Sequence, residues 1–283
     1  MEISFLKLWL WPLLLLAALW WLVRGGRRST SPYPQRVFLV ALTLTVLVFG
    51  FALGSSPNPI DPLLDLARGG GSLAGKLLLL LYFSCFALLG TKLICGWGCP
   101  FGALQELLYE FPPRHRHAHR QLPFLATMAV RTLIFGAAFL VVAGWLGSNP
   151  GTVLYDPINP FRLFDFDFTL ATVVASIVVF LGLAFFVYRP FCQLVCPFGW
   201  YSWFLERFSL FGIRINRRRC SRCSACAHAC PLEAARGRLE GWPLAADCFS
   251  CARCLRVCPA AAIDYGPRWR RPESAGPSSA APP

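Results

Sequence analysis

Two stretches near the C-terminal end limit the fold more than anything else in the chain. CSRCSACAHACP sets Cys220, Cys223, Cys226 and Cys230 before Pro231, and CFSCARCLRVCP sets Cys248, Cys251, Cys254 and Cys258 before Pro259. Each is an unbroken C-x2-C-x2-C-x3-C-P run, so eight of the 13 cysteines fall within 39 residues. Three thiols in a tight turn can cap three irons of a cubane, while the fourth leaves on the following helix and reaches the neighbouring cluster. Crossed ligation of this kind expects Cys220, Cys223, Cys226 and Cys258 around one 4Fe-4S cluster, and Cys248, Cys251, Cys254 and Cys230 around the other. Zinc ribbons compete poorly, because they need four ligands per ion and no closing Cys-Pro in each run. Two β-type segments, GIRIN at 212 to 216 and AIDYG at 262 to 266, bracket the runs and suit a small ferredoxin sheet. So small a unit has little apolar core, and the clusters would hold it folded.

Upstream the chemistry is different. The 283 residues are 56% hydrophobic and 14% charged, outside the range of soluble domains. Apolar runs at roughly 5–23, 37–54, 73–94, 125–147 and 169–188 are long enough, or nearly so, for a hydrocarbon core of about 30 Å. Three of the loops around them carry thirteen arginines, Arg24, Arg36, Arg114, Arg189 and Arg217 among them, whereas the two intervening loops carry only Arg68 and Arg162. Such asymmetry expects the basic loops and the C-terminus to be cytoplasmic and the N-terminus periplasmic. Thiols in the reducing cytosol would not form a disulfide scaffold. The net charge of +13 is spread over these loops, which suits an anionic leaflet and not nucleic acid. The first run is expected to be a retained helix, because its basic cluster follows the apolar stretch and no small-x-small site separates Trp20 and Trp21 from Arg24.

The apolar part repeats itself. CGWGCP at 95–100 returns as CQLVCP at 192–197, and KLICGWGCPFGALQELLYEF at 92–111 aligns with RPFCQLVCPFGWYSWFLERF at 189–208, which pairs Lys92 with Arg189 and Gly102 with Gly199. PNPIDPLLDL at 57–66 is echoed by INPFRLFDF at 158–166. In both copies a proline after the second thiol can open a helix. A helical backbone at the pair would set thiols four apart on one face. Cys95, Cys99, Cys192 and Cys196 are therefore candidates for a further redox or metal centre, whereas the lone Cys85 reads as a small apolar residue. The expected fold is an α-helical polytopic membrane protein of five spans with an internal repeat and a C-terminal cytoplasmic two-cluster ferredoxin-like α+β domain. Its parts would be 1–36 (extra helix and basic loop), 37–211 (duplicated domain), 212–267 (ferredoxin domain) and 268–283 (disordered tail).

Trp97, Trp200, Tyr201 and Trp203 lie where a quinone pocket could be lined, although interfacial aromatics serve more often as anchors. Arg131, six residues into an apolar run, reads as a snorkelling cation. His115, His117 and His119 in RHRHAHR read as orientation charge. No C-x-x-C-H, G-x-G-x-x-G or P-loop motif occurs, which excludes covalent haem, a nicotinamide-binding fingerprint and a Walker nucleotide site.

With CGWGCPFGALQEL, CQLVCPFG, the N-P turns and both cysteine runs, residues 37–266 resemble the membrane ferredoxin-type quinol dehydrogenase subunits of the periplasmic nitrate reductase system. They also resemble the membrane-ferredoxin part of the nitrous oxide reductase regulator. The resemblance implies a multi-pass protein of the bacterial inner membrane. It would take electrons from the quinol pool through two 4Fe-4S clusters towards a periplasmic or membrane redox partner, with lipid around it. Nitrate-reductase subunits of this kind usually have four spans where five are expected here, and the regulator's flavin-bearing outer domain is not expected within these residues. Copper-oxidase assembly proteins carry similar modules, so a maturation factor reducing a metal or thiol on a client metalloenzyme is the alternative.

Overall fold

The computed structural model describes residues 2–27, 35–54, 63, 72–111, 121–142, 158–166, 168, 170–242 and 246–269. The three clustered histidines, the first N-P turn at 57–62 and the segment from 270 lie outside these residues.

Apolar sequence drives helices where the hydropathy expects them: Glu2–Arg27, Gln35–Leu44 continued as a π-helix over Thr45–Ala52, Leu73–Leu89, Phe124–Val142 and Ala171–Ala184. Among the described residues, Gln35–Ala52 alone is long and apolar enough to cross a membrane. Trp9–Arg24, Leu73–Leu89, Phe124–Ala137 and Ala171–Ala184 are shorter apolar helices. The N-terminal helix belongs to the core. Trp11, Leu15 and Leu22 are fully buried, and the Trp11 ring lies within 5.8 Å of Tyr82, Phe83 and Phe86. Its indole N–H donates to the Gly98 carbonyl at 2.9 Å, satisfying the polar end of an otherwise apolar side chain.

Each repeat copy ends in a short second helix, Pro100–Glu110 and Pro197–Glu206, with the proline in the first turn. The residue before it caps the helix, because the Cys99 and Cys196 sulfurs accept from the Gly102 and Gly199 amides at 3.5 and 3.4 Å. A thiol here does what Ser or Asp does at other N-termini.

The chain after Pro197–Glu206 turns into the ferredoxin-like module. Its two strands, Phe211–Ile215 and Ile263–Pro267, form one antiparallel pair that runs from Phe211 opposite Pro267 to Ile215 opposite Ile263. Gly90, just past the Leu73–Leu89 helix, bridges to Phe211 in parallel. The Leu210 amide donates to Leu88 O at 2.7 Å. The sheet is thus stitched to the end of an apolar helix by backbone bonds, and the helical part and the module share one continuous core.

Candidate functional site

The two cysteine turns are built alike. Arg222 and Ser224 in the first, and Ser250 and Ala252 in the second, have φ between 52° and 60°. Those are the same two offsets after the leading cysteine, and none is glycine. Each such residue costs on the order of 1 kcal/mol or more and persists where something compensates. Alternating left-handed residues turn successive amides towards one point, a concavity that recurs at iron-sulfur sites.

Two cavities lie behind these turns. Cys220, Cys223, Cys226 and Cys258 line one, with Ile215, Leu239 and Ile263 as apolar walls. Cys230, Cys248, Cys251 and Cys254 line the other, walled by Ile213, Leu232 and Phe249. The fourth cysteine of each run thus joins the three of the other. Among the described residues no three His, Cys, Asp or Glu side chains form a group able to hold one metal ion, so the thiols ring a volume instead of converging on a point. All 13 cysteines are free. Burial pushes Cys230 up to about 12 and also raises Cys251. Such thiols need a nearby cation to become thiolate ligands. Donor chemistry, backbone concavity and enclosure fit a 4Fe-4S cluster in each cavity.

The repeat brings its own four thiols together, all nearly buried: Cys95, Cys99, Cys192 and Cys196. Burial first, and then the neighbouring Cys192, Cys95 and Cys99, push Cys196 well up. The backbone is not one helix through either pair. Cys95 lies in a π turn, Ile94–Gly98, and Cys192 in a short α-helix, Pro190–Leu194, while Cys99 and Cys196 are extended caps. Three residues before each pair stands a buried cation in left-handed conformation, Lys92 (φ 43°) and Arg189 (φ 45°). Each crosses to the other copy. Lys92 Nζ donates to Gly199 O at 2.7 Å, while Arg189 donates to Cys95 O and, at 3.0 Å, to Gly96 O. Gln105 adds a third tie, accepting from the Phe191 amide at 3.0 Å and donating to the Cys192 sulfur at 3.5 Å.

The module docks on this junction through its second cysteine turn. Phe249 is 1% exposed, and Lys92 Nζ and the Arg189 guanidinium each stand 5.2 Å from its ring centre. Trp97 Nε1 donates to Ser250 O at 3.2 Å, and the Thr91 and Ser250 hydroxyls meet at 2.9 Å. Two buried acids close the joint. Asp247 takes Lys92 at 2.6 Å and Arg131 at 2.7 Å; Glu106 takes Arg189 at 2.7 Å and also Arg253 of the module. Burial works to raise the Glu106 carboxyl, but Arg253 and Arg189 together hold it below the usual carboxylate range. The Phe249 carbonyl oxygen would lie only 2.1 Å from a Cβ at Gly96. Gly96→Ala must therefore displace that turn, and overpacking of this kind costs about 1–3 kcal/mol. A lower melting temperature with faster proteolytic release of the module is the expected result.

Several readings change. Arg131 does not snorkel: it is 1% exposed and ion-paired to Asp247. Arg189, counted among the orientation charges, is fully buried. Each of the proposed quinone-lining aromatics has a partner within the chain, while Trp200, Tyr201 and Trp203 stay half-exposed. Trp97 bonds Ser250, Trp200 Nε1 donates to Thr132 at 3.1 Å, Tyr201 meets Ser84 at 2.7 Å and Trp203 lies 6.0 Å from Phe124. Cys85 is exposed on its helix. Nothing local in the sequence marks Lys92, Glu106 and Asp247 as a set. The signal was available in part, since Lys92 and Arg189 occupy equivalent places in the repeat.

A family model described as a 4Fe-4S binding domain matches the chain twice, over residues 76–119 and 169–218, one match on each copy of the thiol-pair repeat. The Ferredoxin-type protein NapH of Haemophilus influenzae is 29% identical over 210 residues, 70% of this chain and 69% of that protein. Putative electron transport protein YccM of Escherichia coli is 26% identical over 197 residues, 66% of this chain and 54% of its own. Regulatory protein NosR of Pseudomonas aeruginosa is 31% identical over 194 residues, 64% of this chain but 26% of its own. No solved structure matches. Duplicated thiol pairs and paired cysteine turns on one chain make it similar to NapH and NosR, and with the matched 4Fe-4S domain they mark a ferredoxin-type iron-sulfur protein of electron transfer.

Proposed function

We propose that the chain is a multi-pass protein of the bacterial inner membrane that oxidises quinol and delivers the electrons to a redox partner beyond the membrane. In this reading Cys220, Cys223, Cys226 and Cys258 hold one 4Fe-4S cluster, and Cys230, Cys248, Cys251 and Cys254 hold the other. The clusters, when bound, supply one-electron carriers next to a two-electron donor. The ferredoxin-like module faces the cytoplasm, following the arginine asymmetry of the loops.

Membrane crossing is supported by the outward faces of the apolar helices. Leu78, Leu81, Leu133 and Val178 are each about 60% exposed or more, a surface that water disfavours and lipid accepts. The observation that carries the electron-transfer reading is adjacency. The cavity of Cys230, Cys248, Cys251 and Cys254 shares Phe249 with the junction, and beneath it lie the four repeat thiols and then the apolar helices. Gly96, Trp97 and Thr91 fix that contact, Glu106 and Asp247 lock it, and the four thiols are buried. In this reading Cys95, Cys99, Cys192 and Cys196 act either as a further redox centre or as a dithiol relay between module and membrane.

Anaerobically purified protein given a menaquinol analogue should develop the EPR signal of reduced clusters, and Cys95→Ser or Cys192→Ser should slow its appearance at unchanged ferredoxin iron. Intact clusters that quinol leaves oxidised would refute quinol as the donor. Protease mapping that found the module on the periplasmic side would refute the orientation.

A further inference from the structure

The two candidate centres do not face the same way. The second cysteine turn is pressed against the repeat, whereas the first is turned outwards: Cys223 is exposed and Cys220 half-buried. Next to Cys220 lies an open basic cleft lined by Ile215, Arg217, Cys220, Arg222, Ser224, Arg238, Leu239 and Glu240. Arg217, Arg218 and Arg222 are exposed and Arg219 half-buried around it. Among the described residues none of these four is drawn into an ion pair, while Arg238 is held by Glu206 and Glu240 by Arg236. Among the described residues no acid answers this run of cations beside a candidate metal site.

Loop arginines commonly answer an anionic lipid surface, but here the length of a strand separates them from the helix end. The Phe211–Ile215 strand starts at the Gly90 bridge, at the end of an apolar helix, and carries the chain away from it. At about 3.3 Å per residue the arginine turn lies roughly 15 Å beyond that junction. Charges separated by more than about 10 Å in 0.1 M salt are largely screened from each other. A cationic rim of this kind steers an approaching acidic protein and fixes its orientation.

We propose that the Arg217, Arg218, Arg219 and Arg222 rim is the docking surface for a small, water-soluble, acidic redox carrier protein, seated over the edge of the Cys220, Cys223, Cys226 and Cys258 cavity. The module then has two working faces, one towards the membrane core and one towards a soluble partner. This goes beyond the quinol reading and uses the cluster assignment only for the adjacency of rim and cavity.

The full chain, in nanodiscs of neutral phosphatidylcholine and with its iron and sulfide measured, is titrated with an acidic flavodoxin by microscale thermophoresis at two salt concentrations. Salt-sensitive binding is expected, weakened tenfold or more in R217E/R218E/R219E/R222E. The milder R217Q/R222Q should show a smaller loss, and Arg36→Glu, exposed elsewhere, should bind like the parent. Absence of salt-sensitive binding by the parent, or equal binding by a rim variant of normal iron content, would overturn the proposal. So would rim-dependent binding to phosphatidylglycerol vesicles without binding to flavodoxin. Failure of the cluster assignment would register separately, as missing iron.

Discussion

Cys258→Ser protein, purified without oxygen, should keep about half the iron and acid-labile sulfide of the parent, and the half it loses should be the one served by the first cysteine run. The double variants decide the matter. Cys220 and Cys258 line the same cavity, and Cys230 lines the other. Cys220→Ser with Cys258→Ser should then lose no more iron than either change alone, whereas Cys220→Ser with Cys230→Ser should be nearly iron-free. Ligation within each run predicts the opposite order, so one set of iron determinations separates the two arrangements. Because the unit has little apolar core, the near iron-free variant should also be the least stable.

Asp247→Ala should be the most damaging change at a residue that is no candidate ligand. It leaves Lys92 and Arg131 with fully buried side chains and without the one acid that pairs with both. Removing one partner of a buried pair costs about 3–5 kcal/mol, a large share of the 5–15 kcal/mol by which domains of ordinary size are stable. The exposed Arg236–Glu240 pair serves as the control, because both side chains are about half exposed or more and such pairs contribute about 0–1 kcal/mol. Thermal unfolding in detergent should show a large drop for Asp247→Ala and almost none for Glu240→Ala. Limited proteolysis should separate the module from the helical part only in the former. Equal melting curves would show that the joint is held by packing around Phe249 and not by charge.

Hydropathy and cysteine spacing made the helices, the paired strands and the grouping of the thiols readable because those signals are local. Pro100 and Pro197 announce helix starts within their own motifs, and GIRIN and AIDYG lie within a residue of the observed strands. The charge network was not readable, since Asp247 meets Arg131 across 116 residues of chain and Lys92 across a longer separation. No periodicity links such partners. A lone arginine in an apolar run looks the same whether it reaches for water or for an acid on another part of the fold. Arg189 hid among true loop charges for the same reason. For the aromatic set, ring and position are visible in the sequence while the partners of Trp97, Trp200 and Tyr201 are not.

Lys92 and Arg189 hold the same place in the two copies and the same left-handed backbone, yet one answers Asp247 and the other Glu106. A compact ammonium serves one acid and a carbonyl, where a planar fork serves an acid and two carbonyls. The duplication has therefore stopped being insurance. Each half has specialised for a different neighbour, neither can stand in for its twin, and inheritance must guard both.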